Sequence, residues 1–204
     1  MEKIGEKCGV FGIYGKGLDV SRLTFFGLYA LQHRGQESSG IASTDGNKIY
    51  CHKNNGLVSQ VYNEKIIEGL PGFIAIGHNR YSTSSGTSVK HAHPIEVSDG
   101  SLALVHNGNL PSVTELNNFL KSKGIIFESV SDSTMITEAL HALVKEGMDI
   151  EAAVVKIFPL MTGSFSLLIL TKEKIIALRD EFGIRPLSIA KLNGGYVFSS
   201  ETCA

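Results

Sequence analysis

The order of strand-like and helix-like stretches constrains this fold more than any other feature. Runs with the period-two alternation of strands occupy both ends of the chain, and most of the helical periodicity is gathered into one block between them. The first run, CGVFGIY at 8–14, predicts an opening strand. After it, Asp19 can cap a helix through Leu23, Phe26, Ala30 and Leu31 that ends near Gln32. The polar, glycine-bounded stretch HRGQESSG at 33–40 reads as a connector. Strands at 41–44 and 48–52 flank Asp45-Gly46 and predict a hairpin, a short helix is expected at 63–68, and further strands at 72–79, 95–97 and 101–106. In the helical block, Ser112 and Glu115 read as a capping box for a helix through Leu116, Phe119 and Leu120, closed by Gly124. A second helix starts at Asp132 and carries Ile136, Leu140 and Val144 on one face, and a third spans 152–158, before Pro159. Strands return at 164–170, 174–179, 187–192 and 196–200, the last two joined by Asn193-Gly194-Gly195. Grouped strands around a helical block define an α+β order rather than βαβ alternation. Two stacked antiparallel sheets covered by helices, or one broad sheet, would each bury this much apolar strand.

With 204 residues the chain suits one domain that needs no disulfide or metal to complete its core. Its 19 basic and 20 acidic side chains leave a net charge of -1 with no dense basic run, which argues against a nucleic-acid partner. The longest apolar runs, such as 165–170, are strand-sized and far below a membrane span. Residues 1–7 hold two glutamates and no apolar core, so they are not a secretory signal, and a cytoplasmic location is expected. Three cysteines, at 8, 51 and 203, form no CxxC and no even set for a disulfide framework.

Four polar features interrupt the apolar pattern at element ends: Cys8, the 80–83 loop, Asn107-Gly108 and Asp132. A free amino acid presents an α-carboxylate that a guanidinium can fork onto and an α-ammonium that a carboxylate can hold, and Arg80 with Asp132 offers that pair. An acyl-transfer nucleophile needs donors for a developing oxyanion, and the Asn107 side chain with the Gly108 N–H offers two. Each residue also has a plainer reading. Cys8 can be a small buried hydrophobe, Asn107-Gly108 a hairpin turn, Arg80 a surface charge and Asp132 a helix cap. His91, His93 and His106 have no cysteine or carboxylate at ligand spacing, so no metal site is expected. GKG at 15–17 lacks the further glycine of a nucleotide loop.

Longer motifs carry more information. CGVFGIY at 8–14, GLYALQHRGQESSGI at 27–41, GHNRYST at 77–83, HNGNL at 106–110, SDS around Asp132, RDEFGIRPL at 179–187 and SSETCA at the end stand in this order across nearly the whole chain. This pattern resembles the glutaminase domains of the glutamine amidophosphoribosyltransferases, a branch of the class II glutamine amidotransferases. Glucosamine-6-phosphate synthases share the cysteine, the arginine loop and the Asn-Gly pair, whereas QHRGQES and RDEFGIRPL resemble the phosphoribosyl branch.

The resemblance implies an N-terminal nucleophile hydrolase fold, a four-layer αββα sandwich with two stacked antiparallel sheets. It implies Cys8 as nucleophile, Asn107 and Gly108 as oxyanion hole, Arg80 and Asp132 as holders of the glutamine α-groups, Tyr81 and Thr83 on a loop closing over L-glutamine, and Arg34 near the nucleophile among the substrate contacts. The expected activity is hydrolysis of the glutamine side-chain amide through a cysteinyl thioester, with the ammonia going to phosphoribosylamine formation from phosphoribosyl pyrophosphate in purine synthesis. Residues 1–7 look like a short cleaved leader and 8–204 like the glutaminase domain, while nothing resembles a phosphoribosyltransferase diphosphate loop. A phosphoribosyltransferase domain or subunit is therefore the expected partner, in a homo-oligomer when full length. No cofactor is expected in this chain, with Mg²⁺ and an iron–sulfur cluster confined to that other half. HAHP at 91–94 stands where the resemblance leads one to expect Asn-Ala-Gln-Pro. Two other functions share these motifs: a non-catalytic glutamine-sensing module, and a glutaminase feeding another acceptor such as a sugar phosphate.

Overall fold

The computed structural model describes residues 8–81, 89–128 and 130–204; the expected leader at 1–7 and Thr83 lie outside the described residues. In chain order the elements begin with β1 (Gly9–Gly15), α1 (Val20–Ala30), β2 (Ser38–Thr44), β3 (Ile49–Asn55), α2 (Val58–Val61), α3 (Glu64–Glu68) and β4 (Ile74–Arg80). They continue with β5 (Ile95–Glu96), β6 (Leu102–Ser112), α4 (Thr114–Ser122), α5 (Asp132–Lys145) and α6 (Ile150–Ile157). Four strands close the chain: β7 (Thr162–Thr171), β8 (Ile175–Arg179), β9 (Ser188–Leu192) and β10 (Gly195–Ser199).

The strands form two antiparallel sheets, a six-stranded one in the order β3-β2-β4-β1-β10-β9 and a four-stranded one in the order β5-β6-β7-β8. Strand alternation splits their side chains among three apolar layers. Val10, Ile74 and Ile76 of the first sheet face Ala103, Val105, Leu168 and Leu170 of the second. The residues between them point outward: Phe11, Ile13 and Ala75 pack against α1, α2 and α3. Leu102, Leu104, Leu167 and Ile169 pack against α4, α5 and α6. This is the expected αββα sandwich. Gly12 permits its close sheet spacing, since a Cβ there would lie 2.7 Å from both Leu168 Cδ1 and Ile175 Cδ1.

Local chemistry accounts for most helix ends. Asp19 caps α1 by accepting the Arg22 N–H, Asn63 caps α3 through Ile66 N–H, and Gly124, at φ 73°, follows α4. The expected Ser112–Glu115 box does not form: β6 runs on through Ser112, which pairs with Thr162, and α4 starts only at Thr114. Nor is 33–40 merely a connector. A 3₁₀ turn at Gln32–Arg34 leads into β2, all seven residues of which are buried. The serines tolerate burial because they find partners, Ser39 Oγ donating to Asn79 Oδ1 at 2.9 Å and Ser43 Oγ to the Pro71 carbonyl at 3.0 Å.

Candidate active site

At one end of the layer between the sheets the apolar pattern gives way to polar side chains. Continuing the alternation of Val10, Ile76 and Val105 puts Cys8, His78 and Asn107 on the two facing inner surfaces. β1 and β4 pair Gly9 with Asn79, which sets Cys8 beside the end of β4 and Arg80. A cavity of about 270 Å³ opens there, lined by Cys8, Arg80, Tyr81, His106, Gly108 and Asp132 among others. Thus Cys8, Arg80, Tyr81, Gly108 and Asp132, separate in sequence, share one cavity, with Asn107 buried next to Gly108.

Cys8 is held through its backbone. Its N–H donates to the Arg34 carbonyl at 3.0 Å, its carbonyl accepts from Arg34 Nε at 2.8 Å, and its φ is 79°. The thiol makes a long contact to the Tyr81 carbonyl, 3.9 Å from Sγ. Burial raises the Cys8 pKa, and the guanidinium charges of Arg80, Arg34 and Arg185 oppose that rise. The Arg34 side chain is 2% exposed and donates to Glu201 Oε1 at 2.6 Å, so what it holds among the described residues is the Cys8 backbone on one side and Glu201 on the other.

Asn107-Gly108 is not a hairpin turn. Both lie within β6, opposite Ser166 and Phe165 of β7. The Asn107 amide is fully buried, and neither its Oδ1 nor its Nδ2 has a hydrogen-bond partner among the described residues. Leaving such a group unpaired costs roughly 1–3 kcal/mol. Gly108 has no room for a side chain, since a Cβ would collide with the Ser164 carbonyl and lie 2.7 Å from Phe165 Cα.

Asp132 is the first residue of α5 and not its cap; Ser131 is the cap, accepting the Thr134 N–H. The Asp132 carboxylate turns instead toward β6, with Oδ2 accepting the Leu110 N–H at 3.0 Å and Oδ1 the Ser133 N–H at 2.7 Å. These bonds fix the carboxylate at the cavity wall.

The structure adds residues to which the sequence reading gave no role. Asp180 gathers the N–H groups of Phe165, Phe182 and Ile184, folding RDEFGIRPL so that Ser166 Oγ, across from Asn107, reaches the Arg185 carbonyl at 3.1 Å. Three buried imidazoles, His78, His93 and His106, border the cavity. Burial lowers His78 to about 3 and holds His93 well below the usual histidine value; it also lowers His106, against the opposing charge of Asp132. His93 stood out in sequence as a departure from the expected motif, but only the fold brings it to His78. Among the described residues no group of three or more His, Cys, Asp and Glu is arranged to hold a metal ion.

Comparison with known proteins follows the same lines. The family pattern described as "Glutamine amidotransferase domain" matches residues 78–204. An amidophosphoribosyltransferase of Synechococcus elongatus is 44% identical over 97% of this chain and 41% of its own length. One from Synechocystis sp. is 46% identical over 100% of this chain and 42% of its own length. The chain thus spans about two fifths of the length of these relatives. Among solved structures, the glutamine phosphoribosylpyrophosphate amidotransferase of Bacillus subtilis, complexed with ADP and GMP, superposes with a TM-score of 0.82 at 38% identity, covering 96% of this chain and 42% of that one.

Proposed function

The chain belongs to the glutamine amidotransferase domain family, and from that premise we propose that it hydrolyses the side-chain amide of L-glutamine with Cys8 as nucleophile. The observation that carries this reading is the convergence of Cys8, the unpaired Asn107 amide, Gly108, Arg80 and Asp132 at the polar end of the inter-sheet layer. Arg80 takes the glutamine α-carboxylate and Asp132 its α-ammonium, which directs the side-chain amide toward Cys8. Tyr81 lines the cavity and is half exposed.

Because burial raises the Cys8 thiol, the reaction needs a base. Cleavage after Lys7 provides one: the freed α-amine, with an unperturbed pKa of about 7.7–8.0, takes the thiol proton near neutral pH. The Cys8 nitrogen already lies 3.0 Å from the Arg34 carbonyl, which orients that amine. Sulfur attacks the amide carbon, the oxyanion is bound by the Asn107 side chain and the Gly108 N–H, and the amine returns its proton to the departing ammonia. Water then cleaves the thioester to glutamate. The names of the relatives support delivery of the ammonia to a phosphoribosyltransferase unit for phosphoribosylamine synthesis, rather than to a sugar phosphate. Ammonia and glutamate release from glutamine by a chain beginning at Cys8, with Cys8→Ala as control, tests the reading. Equal release by both proteins would overturn it.

A further inference from the structure

The ladder between β5 and β6 pairs Ile95 with Leu104 and Glu96 with Ala103, so its continuation would place Pro94 opposite Val105 and His93 opposite His106. It stops at Ile95, so His93 does not pair with His106 as a strand residue would. The edge of β6 beyond it is buried, and buried backbone groups must find partners. Two imidazoles supply them. His93 Nδ1 accepts the His106 N–H at 3.1 Å, and His78 Nε2 donates to the His106 carbonyl at 3.0 Å. The two rings pack with centroids 4.4 Å apart and planes inclined by 38°, so each limits the movement of the other.

The backbone behind His93 is fixed as well. Gly40 of β2 packs directly against the His93 carbonyl, leaving no space for a Cβ, and Lys53 Nζ of β3 donates to the Pro94 carbonyl at 2.5 Å. His93 is therefore anchored on the first sheet and reaches the second at the residue immediately before Asn107. Alternation turns the N–H of Gly108 toward the same edge as that of His106, the edge facing the cavity. Whatever sets the His106 peptide sets the aim of both oxyanion donors.

We propose that His93 is the positioning residue of the oxyanion site: its neutral ring, protonated on Nε2, replaces the missing strand and holds the His106–Asn107–Gly108 backbone against Cys8. The catalytic consequence rests on the glutaminase reading above, whereas the backbone clamp does not. The geometry requires an acceptor at the Nδ1 position, which Asn can reproduce with Oδ1 and Leu cannot.

The test compares His93→Leu and His93→Asn with the parent, all beginning at Cys8, by glutamine hydrolysis and by the amide NMR resonances of residues 106–108. For His93→Leu, a misaimed oxyanion site should lower kcat about 10- to 100-fold, while KM for glutamine stays within roughly twofold because Arg80 and Asp132 are untouched. The resonances of His106, Asn107 and Gly108 should shift and the His106 amide should exchange faster. His93→Asn should restore both readouts. A drop in kcat with unmoved resonances, a matching loss in KM, or no recovery in His93→Asn would each overturn the proposal. If the parent releases no ammonia, the glutaminase reading fails, and the amide shifts with their recovery in His93→Asn decide the clamp by themselves.

Discussion

Moderate acidification should destabilise this protein in a pH range where its carboxylates are still ionised. His78 is buried with its pKa lowered to about 3, and His93 is held well below the usual histidine value, in both cases chiefly by burial. Arg80 adds positive charge beside both rings and Lys53 beside His93, while His106 packs against each. In the unfolded chain each imidazole returns to a pKa of about 6.5. The folded value is the lower one, so the unfolded state takes the proton first. Stability is intact above about pH 6.5 and is lost as the pH falls toward the folded value. At pH 5 His78 has lost about 1.5 pH units at 1.36 kcal/mol per unit, roughly 2 kcal/mol, and His93 shifts stability in the same direction. Against a total stability of about 5–15 kcal/mol this is a large fraction. Carboxylates with lowered pKa, such as Asp45 at about 2 and Asp99, contribute to acid unfolding chiefly below about pH 5, where the unfolded chain begins to protonate them. Urea titrations at pH 7.5, 6.5, 5.5 and 5.0 should show the midpoint falling by about 1 M from His78, for a urea dependence of about 2 kcal/mol per molar, and further from His93. His93→Asn should make that fall smaller. A midpoint constant between pH 7.5 and 5.0, or a variant with the parent's slope, would refute the reasoning.

Asn107→Ala, measured by glutamine hydrolysis, should lower kcat about 10²- to 10³-fold while far-UV circular dichroism stays unchanged, since the lost amide has no partner within the described fold. Glu201→Ala removes one carboxylate partner of the buried Arg34 guanidinium; because the Glu201 side chain keeps 32% exposure, the cost should be about 2 kcal/mol rather than the 3–5 of a fully buried pair, read as a lower urea midpoint. A Cβ in Gly40→Ala would meet backbone, the His93 carbonyl, rather than a yielding side chain, so the variant should lose about 3 kcal/mol or more and shift the His106 amide resonance. Parent-like stability in that variant would mean that β2 and the 93–94 segment are not in close contact.

Much of the fold was legible because strands of period two and a block of helices admit few arrangements. The CGVFGIY strand, the Asp45-Gly46 hairpin and the three middle helices stand where the pattern placed them, within a few residues. Local rules failed where a residue served two elements. Ser112 was drawn into β6 instead of capping α4, and Asn107-Gly108, a turn by local preference, is strand because β7 runs past it. Ser39, within the stretch read as connector, looked like loop because its partner Asn79 lies 40 positions away.

The candidate chemistry divides in the same way. Sequence determined the residue types: a thiol at the start of the first strand, an arginine and an aspartate suited to an amino acid, an asparagine and a glycine suited to an oxyanion, and the motif order that marks the family. The tertiary structure decided their places. Stacking two sheets put Cys8 and Asn107 on facing surfaces, turned Arg34 inward to hold the Cys8 backbone, and let the His78 and His93 rings bond the edge of β6 beyond the end of β5. Alternation fixes which face a side chain takes within its own strand, but which strands face each other follows from burying both inner faces at once, and no local stretch of sequence encodes that.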